Sequence, residues 1–188
     1  MSRILAFLAC VALAALLAAR VLPAPGAGAR NPQAPPETEQ FAFLIGEWEC
    51  ATRTMQPDGT MADGTARWTG AWILDGWAIQ DDWASPRPDG TTFRGTNIRS
   101  FDPVTRVWDV RWLPSGTLRW SAYAAERVGE TMVMTGGEAV DAQGRSILDR
   151  NTFYDIGPDA WKWRKDRSLD AGANWVEGVV RIEARRVR

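Results

Sequence analysis

Apolar and polar residues alternate along most of the chain after its first quarter, the pattern of strands with one buried face. In one segment Trp108, Val110 and Trp112 fall on one side, with Asp109 and Arg111 on the other. Charged side chains prefer solvent, so the tryptophan side is expected to face inward. The same argument gives three further inward-facing sets: Leu118, Trp120, Ala122 and Ala124; Trp161 and Trp163; and Val176, Val180, Ile182 and Ala184.

Turn-forming sequences rich in Asp, Gly and Pro interrupt the alternation about every 8–15 residues, the spacing of an antiparallel meander. We expect strands at residues 47–56, 65–74, 76–84, 92–101, 106–113, 117–127, 130–136, 145–155, 160–168 and 174–186. Ten strands joined by short turns can remove their exposed edges by closing on themselves. The sequence therefore predicts an all-β fold, an antiparallel up-and-down barrel of about ten strands.

A dense apolar cluster precedes the first strand. A short helical turn over residues 40–44 would place Phe41, Leu44 and Ile45 on one side. Gly46 then permits a sharp change of direction, and Trp48 starts the first strand with its ring turned inward. We expect this segment to close one end of the barrel as a lid. The alternative interpretation is an ordinary amphipathic turn before a strand.

The N-terminal segment has the features of a signal peptide. Residues 1–29 combine Arg3, an apolar core and a small-residue cleavage signal that ends at Ala29. Cleavage there predicts a periplasmic or secreted protein with no membrane span in the mature chain. The alternative is that the segment stays uncleaved as a membrane anchor. Residues 30–40 are expected to form a proline-rich extended tether, followed by the barrel domain at 41–188.

Charge and cysteine content limit which binding partners and which disulfides can be expected. The chain has 22 basic and 23 acidic residues and no basic run, so nucleic acid is not an expected partner. Removal of the leader also removes Cys10, which leaves Cys50 without a second cysteine for an intramolecular disulfide. No residue pattern selects an oligomeric state.

The sequence contains no histidine, which excludes several kinds of site. A Ser-His-Asp triad and a histidine-bound haem or zinc are impossible without imidazole. The Asp-Gly turns lack the alternating acids of a dedicated calcium loop. We therefore expect no cofactor and no metal.

One acidic residue shares its face with large apolar side chains. On a strand, Asp81 falls on the same side as Trp77, Ile79 and Trp83. Burial would raise the pKa of this carboxyl and make it a candidate acid or base. The alternative is an ion pair with one of the many arginines. Asp82 points to the opposite face and cannot act with Asp81 on one substrate.

A second polar pattern lies near residue 150. Arg150 and Tyr154 share one face, opposite Asp149, Asn151 and Phe153. A guanidinium and a phenol can bind a ligand carboxylate together, although pairing at the surface explains both residues equally well. The full set of cavity candidates is Trp72, Trp77, Asp81, Trp83, Trp108, Trp112, Trp120, Arg150, Tyr154, Trp161 and Trp163.

Several motifs resemble those of lipocalins. Gly46-Glu-Trp48 after a helical turn resembles the Gly-x-Trp signature that opens lipocalins, and Arg185 occupies the place of their closing-strand arginine, which covers that tryptophan. More specifically, nearly the whole chain after residue 40 resembles a family of secreted bacterial lipocalin-like barrels of unknown function. The motifs that carry this resemblance are Phe43-Leu-Ile-Gly-Glu-Trp48, Leu74-Asp-Gly76, Phe101-Asp-Pro103 and Ser168-Leu-Asp-Ala-Gly-Ala-Asn-Trp175. The resemblance implies a lipocalin-like or fatty-acid-binding-protein-like barrel that carries an apolar small molecule.

One of these motifs has a structural interpretation of its own. Ser168-x-Asp170-x-Gly172-x-x-Trp175 resembles the Asp-box of sialidase propellers, a device that stabilises a hairpin. Its serine and aspartate are expected to bond turn amides, and its tryptophan to pack underneath. A propeller repeats the box from blade to blade, whereas this chain has one copy, so no sialidase activity is expected.

Three functions are compatible with these observations. The preferred one is an exported protein that holds a small apolar or amphipathic molecule in a tryptophan-lined barrel, because eleven tryptophans exceed the needs of a core of this size. The second is a barrel enzyme of the isomerase or cyclase type that uses Asp81 or Tyr154. The third is a filled barrel that acts as an envelope interaction or stress protein.

Overall fold

The computed structural model describes residues 28–141 and 143–187. The expected signal peptide lies outside the described residues apart from Gly28 and Ala29. Within the described residues there is one 3₁₀ helix of nine residues at Pro36–Leu44, here called the lid helix, and a 3₁₀ turn at Leu74–Gly76. None of the helices in this part of the chain is long and apolar enough to span a membrane.

Ten antiparallel strands form a closed barrel in which each strand pairs with its neighbours in sequence and the last pairs with the first. The strands are β1 (Gly46–Met55), β2 (Met61–Ile73), β3 (Ala78–Pro86), β4 (Thr92–Asp102), β5 (Val107–Pro114), β6 (Ser121–Val128), β7 (Thr131–Val140), β8 (Ser146–Tyr154), β9 (Ala160–Ser168) and β10 (Val176–Arg186). The predicted all-β up-and-down barrel is confirmed, because every predicted strand has a counterpart. Within the described part of the chain, closure leaves no unpaired sheet edge.

The strand boundaries differ from the prediction by more than two residues in three places. β2 starts at Met61 because the hairpin pairs Met55 with Met61, which draws the turn-like Asp63-Gly64 into the ladder. β6 starts only at Ser121, since Leu118 has a positive φ of 53° and breaks the extended backbone. β7 continues to Val140 through an irregularity in its pairing with β8.

The lid helix closes one end of the barrel. Phe41 and Leu44 are fully buried, and the rings of Phe41 and Trp108 meet edge to face with centroids 4.9 Å apart. The indole Nε1 of Trp48 donates to the Leu44 carbonyl oxygen at 3.0 Å. At Gly70 a β-carbon would lie 2.2 Å from that same oxygen, so the helix end sits directly on β2. The predicted lid is therefore confirmed.

The segment expected to be an extended tether is folded onto the barrel. The Asn31 amide donates to the Gly76 carbonyl oxygen at 3.0 Å, and Ala34 and Thr38 are buried. Pro36 starts the lid helix, where a fixed φ and a missing N–H fit the first helical turn. One of the prolines therefore marks the start of a helix. Residues 31–40 pack on the barrel and do not form an extended spacer.

Aromatic side chains fill the barrel next to the lid helix. Trp48, Trp108, Phe153 and Trp161 are almost completely buried. Their rings meet edge to face, as in Trp48 and Trp161 at 5.6 Å, which is the favoured geometry for aromatic pairs. The lid half of the barrel is thus a packed core.

An arginine covers Trp48 from the closing strand, but it is not the expected Arg185. The register between β1 and β10 pairs Trp48 with Arg186 and Glu49 with Arg185. The Arg186 guanidinium lies 4.1 Å from the Trp48 ring centroid, and its Nη1 donates to the Ile45 carbonyl oxygen at 2.8 Å. Arg185 is exposed because it lies on the outer face of the same strand.

Candidate functional site

A cavity of about 340 Å³ occupies the half of the barrel away from the lid helix. Thr54, Ser85 and Phe93 line it near the ends of β1 and β3 and the start of β4, where no helix of the described residues covers the barrel. Its lining divides into an aromatic wall and a set of polar side chains. The aromatic wall consists of Trp68, Trp83, Phe93 and Trp112, from β2 to β5.

The aromatic wall depends on a glycine. Trp68 and Trp83 pair across β2 and β3 and meet edge to face at 5.5 Å. The Trp112 ring lies over Gly95, where a β-carbon would come within 2.0 Å of the ring. Gly95 therefore leaves the space in which Trp112 lies flat along the wall of the cavity.

A buried ion pair lies at the floor of the cavity, which Arg99 and Asn97 line. Arg99 and Asp81 are each about 1% exposed, and the guanidinium donates from Nε and Nη2 to the two carboxylate oxygens. Asn97 Nδ2 donates to Asp81 Oδ1 at 2.7 Å. The remaining Arg99 nitrogen, Nη1, faces the Met134 thioether at 3.2 Å, which is a weak acceptor. Of the two interpretations for Asp81, the ion pair is the one that the structure supports.

A second charge cluster connects β8 and β9. Asp149 accepts from Arg167 Nε at 2.8 Å and Nη2 at 3.0 Å, and Lys165 Nζ lies 3.1 Å from the same carboxylate. Burial alone would raise the pKa of Asp149, but the bonds from Arg167 and the charge of Lys165 hold it below its usual range. Asp149 is therefore ionised at neutral pH and balances one of its two cations.

Three further polar groups of the lining are buried. Burial and the Asp149 charge raise the pKa of Tyr123 to about 12, so its phenol stays neutral at physiological pH. Among the described residues, Asn151 Oδ1 and Trp68 Nε1 have no hydrogen-bond partner. A buried polar atom without a partner is costly, and a bound water or ligand commonly satisfies it.

Three of the predicted tryptophans line the cavity, and three lie below it. Trp83, Trp112 and Trp163 line the cavity. Trp72, Trp108 and Trp161 point into the barrel as expected but belong to the packed core near the lid helix. For these six tryptophans strand alternation gave the inward face correctly, yet it did not distinguish the filled half from the hollow half.

Two predicted cavity tryptophans lie outside the barrel interior. Trp77 is 44% exposed, because it follows a turn with positive φ at Leu74, Asp75 and Gly76 and precedes β3. Trp120 is 53% exposed and precedes β6.

The predicted inward face of β6 was also wrong. Tyr123 and Ala125 face inward, and the expected Ala122 and Ala124 face outward. Alanines fit either face of a strand, so they do not mark the buried one.

Arg150 and Tyr154 are on the outer face of β8, so the carboxylate site proposed for them is also wrong. Arg150 donates from Nη2 to Asp166 Oδ2 at 2.9 Å and lies 4.4 Å above the Trp175 ring. Tyr154 lies on the face opposite the buried Phe153. Ion pairing at the surface explains Arg150, as the alternative interpretation held.

Two cationic residues of the cavity were missed, Lys165 and Arg99. Lys165 alternates with Trp161 and Trp163 along β9, which is a signal that the sequence did contain. Arg99 alternates with Phe101 in the same way along β4. The rule that charged residues face solvent hid both of them.

The Asp-box has the predicted structural role. Ser168 Oγ donates to Asp170 Oδ1 at 2.7 Å and accepts from the Gly172 amide at 2.8 Å. Asp170 also accepts from the side chain and backbone amide of Asn174 at 2.7 and 2.8 Å. Bonds from Asn174 and Ser168 lower the pKa of Asp170 to about 2. These side chains hold the turn between β9 and β10.

Two solved structures have a similar fold. Rv2717c from M. tuberculosis superposes with a TM-score of 0.58 at 11% identity, over 82% of this chain and 99% of that one. The S-type phycobiliprotein lyase CPES from Guillardia theta superposes with a TM-score of 0.51 at 10% identity, over 80% and 92% of the two chains. No family model and no curated protein matches the sequence. The likeness supports the closed antiparallel barrel fold.

Proposed function

We propose that this protein binds one small amphipathic molecule in the cavity of its barrel. The observation that carries the proposal is the cavity of about 340 Å³, with aromatic rings on one side and polar groups at its floor and opposite side. Ligand pockets have volumes of roughly 300–1,000 Å³, mostly apolar linings and a few polar groups that fix orientation. One similar structure is named a phycobiliprotein lyase, which agrees with a barrel that serves a small ligand.

The two alternative functions have less support. The acid and base named for an enzyme are not available, since Asp81 is bound by Arg99 and Asn97, and Tyr154 lies outside the barrel. A completely filled barrel disagrees with the cavity. Binding without chemistry is therefore the function that the geometry favours.

Tryptophan emission tests the proposal directly. We expect saturable changes in emission and a raised melting temperature when a panel of alcohols, fatty acids, retinoids and bile acids includes a suitable ligand. Ser85→Trp places a bulky side chain in the cavity lining and should abolish the response. Trp120→Phe changes an exposed ring outside the barrel and should leave it intact. A panel that changes neither emission nor melting temperature would contradict the proposal.

We also propose export, with cleavage before Arg30. The leader features of residues 1–29 support it. Expression of the full chain in a bacterium, followed by fractionation and N-terminal sequencing, should give a soluble periplasmic protein that starts at Arg30. A full-length product in the membrane fraction would support the uncleaved anchor instead.

A further inference from the structure

The charges that face inward around the cavity do not balance. Among the described residues on this inner face, Arg99, Lys165 and Arg167 are cations, and Asp81 and Asp149 are carboxylates. Arg99 and Asp81 neutralise each other in the floor. Asp149 serves both remaining cations, which leaves one positive charge. This excess of positive charge favours the approach of an anion to the cavity.

Lys165 is the cation available to such an anion. Arg167 takes two bonds to Asp149, whereas Lys165 has this carboxylate as its one partner among the described residues. An ammonium group carries three donors, so two of them are free to bind another acceptor. The Lys165 side chain is 22% exposed and lines the cavity, so a ligand can reach it.

Asn151 adds a second polar group at the same place. It pairs directly with Lys165 across β8 and β9, and its Oδ1 is one of the buried atoms without a partner in the described part of the chain. A hydroxyl of the ligand, or a water molecule bound beside it, can donate to this oxygen. Lys165 and Asn151 therefore form a small polar site, here called the β8–β9 site.

The aromatic wall lies across the barrel from this site. β4 and β9 are five strands apart in a ring of ten, so they face each other through the interior. Trp83, Phe93 and Trp112 come from β3, β4 and β5. A molecule that spans the cavity meets a positive charge at one side and flat apolar rings at the other.

We infer that the cavity selects an amphipathic anion, with its acidic group bound by Lys165 and its apolar part against Trp83, Phe93 and Trp112. This inference rests on the proposed function and adds the chemical class of the ligand. A charge-assisted hydrogen bond from Lys165 favours the anion over a neutral molecule of the same shape.

Four probes have nearly the same alkyl chain and differ in the charge of their head group: decanoate, methyl decanoate, decan-1-ol and decyltrimethylammonium. Comparing their affinities separates the effect of charge from that of apolar contact. Each is titrated at neutral pH, below its micelle concentration, with tryptophan emission and calorimetry as readouts. Decanoate is expected to bind about tenfold more tightly than its methyl ester or the alcohol. Decyltrimethylammonium is expected to bind most weakly. Added salt should weaken decanoate binding and leave ester binding unchanged.

Two substitutions on β9 test the role of Lys165. Lys165→Met should reduce decanoate affinity about tenfold and leave the methyl ester unaffected. Lys162→Met is the matched control, because Lys162 lies on the outer face of the same strand, where it pairs with Asp155. This substitution should change neither the decanoate affinity nor the ester affinity. Lys165→Arg keeps the charge and should keep the preference for decanoate. It serves with the salt series as the test if Lys165→Met does not fold.

The outcomes distinguish this inference from the proposed function. Equal affinities for decanoate, its ester and the alcohol, or tighter binding of decyltrimethylammonium, overturn the anion preference and leave small-molecule binding in place. An unchanged decanoate preference in folded Lys165→Met also overturns the assignment to Lys165. If none of the four probes and none of the wider panel binds, both the inference and the proposed function fail.

Discussion

The guanidinium of Arg99 holds the carboxylate of Asp81 inside the barrel, and both side chains are about 1% exposed. This pair separates the packed aromatic half from the hollow half. Arg99 lies above the rings of Phe41 and Phe153, with its Cζ 4.7 and 5.6 Å from their centroids. At the floor of the cavity, Arg99 thus packs on aromatic rings. One of these rings, Phe41, belongs to the lid helix, so the site contacts that helix.

Removing either charge of this pair should destabilise the protein strongly. Asp81→Asn leaves Arg99 as a buried cation without a balancing charge, and we expect a loss of about 3–5 kcal/mol in the free energy of unfolding. The double variant Asp81→Leu/Arg99→Met should lose less than Asp81→Asn, because no unpaired charge remains. Urea unfolding followed by tryptophan emission measures both variants against wild type. A double variant less stable than Asp81→Asn would contradict this account.

Arg186, not Arg185, should stabilise the closure between β1 and β10. Arg186→Ala removes the ring contact with Trp48 and bonds to the carbonyl oxygens of Ile45 and Pro158 at 2.8 and 2.7 Å. We expect a loss of about 2 kcal/mol in the free energy of unfolding. Arg185→Ala on the exposed face is the control and should stay within about 0.5 kcal/mol of wild type. Equal losses would show that the Trp48 contact contributes nothing.

The contact between β2 and the lid helix allows no side chain at Gly70. A β-carbon there would lie 2.2 Å from the Leu44 carbonyl oxygen, so Gly70→Ala must displace the helix end. We expect a loss of about 1–3 kcal/mol in the free energy of unfolding. Gly116→Ala is the matched control, since a β-carbon at that position would meet no atom of the described residues within 4 Å beyond its chain neighbours. A stable Gly70→Ala protein with an unchanged melting temperature would mean that the lid helix is not seated on β2.

Cys50 should be unreactive while the protein is folded. It is buried, and this burial raises the pKa of its thiol to about 12, which leaves almost no thiolate at pH 8. Alkylation with iodoacetamide, followed by mass spectrometry of the peptide that contains Cys50, should show modification only after urea unfolding. Rapid labelling of the native protein at this residue would refute its burial.

Asp170 should make stability depend on pH in the acid range. Its folded pKa of about 2 lies below the usual value of 3.8, so its contribution is fully present above about pH 4. The contribution is lost as the pH falls toward 2, because the unfolded chain then takes up the proton more readily. Asp170→Asn should flatten the decline in melting temperature between pH 4 and 2. A variant profile parallel to that of wild type would contradict the lowered pKa.

The sequence alone determined the fold, because its signals are local. Alternation and turn residues marked all ten strands, and the apolar cluster before Trp48 marked the lid. The same alternation placed Trp83, Trp112 and Trp163 inside. A side chain's face within a regular strand depends on its immediate neighbours, so no knowledge of distant strands was needed.

Local signals failed where the backbone left the extended conformation. Positive φ at Leu74 and Asp75, and at Leu118, puts Trp77 and Trp120 outside the strands that alternation had extended to include them. A single residue outside the extended conformation shifts the alternation by one, so the residues that follow it face the other side of the sheet. The identity of the covering arginine failed in a similar way, since one residue of register separates Arg186 from Arg185.

Only the tertiary structure decided which charges lie inside and where the barrel is hollow. Arg99 meets Asp81 from the adjacent strand, and Lys165 and Arg167 share Asp149, so these cations can face inward against the usual preference for solvent. Each is acceptable inside because a partner distant in sequence balances or shares it. The strand pattern shows whether each residue prefers solvent or the interior. Closure of the barrel and the register of its strands decide which charged residues meet. The physical reason is that a buried charge depends on its neighbours in space.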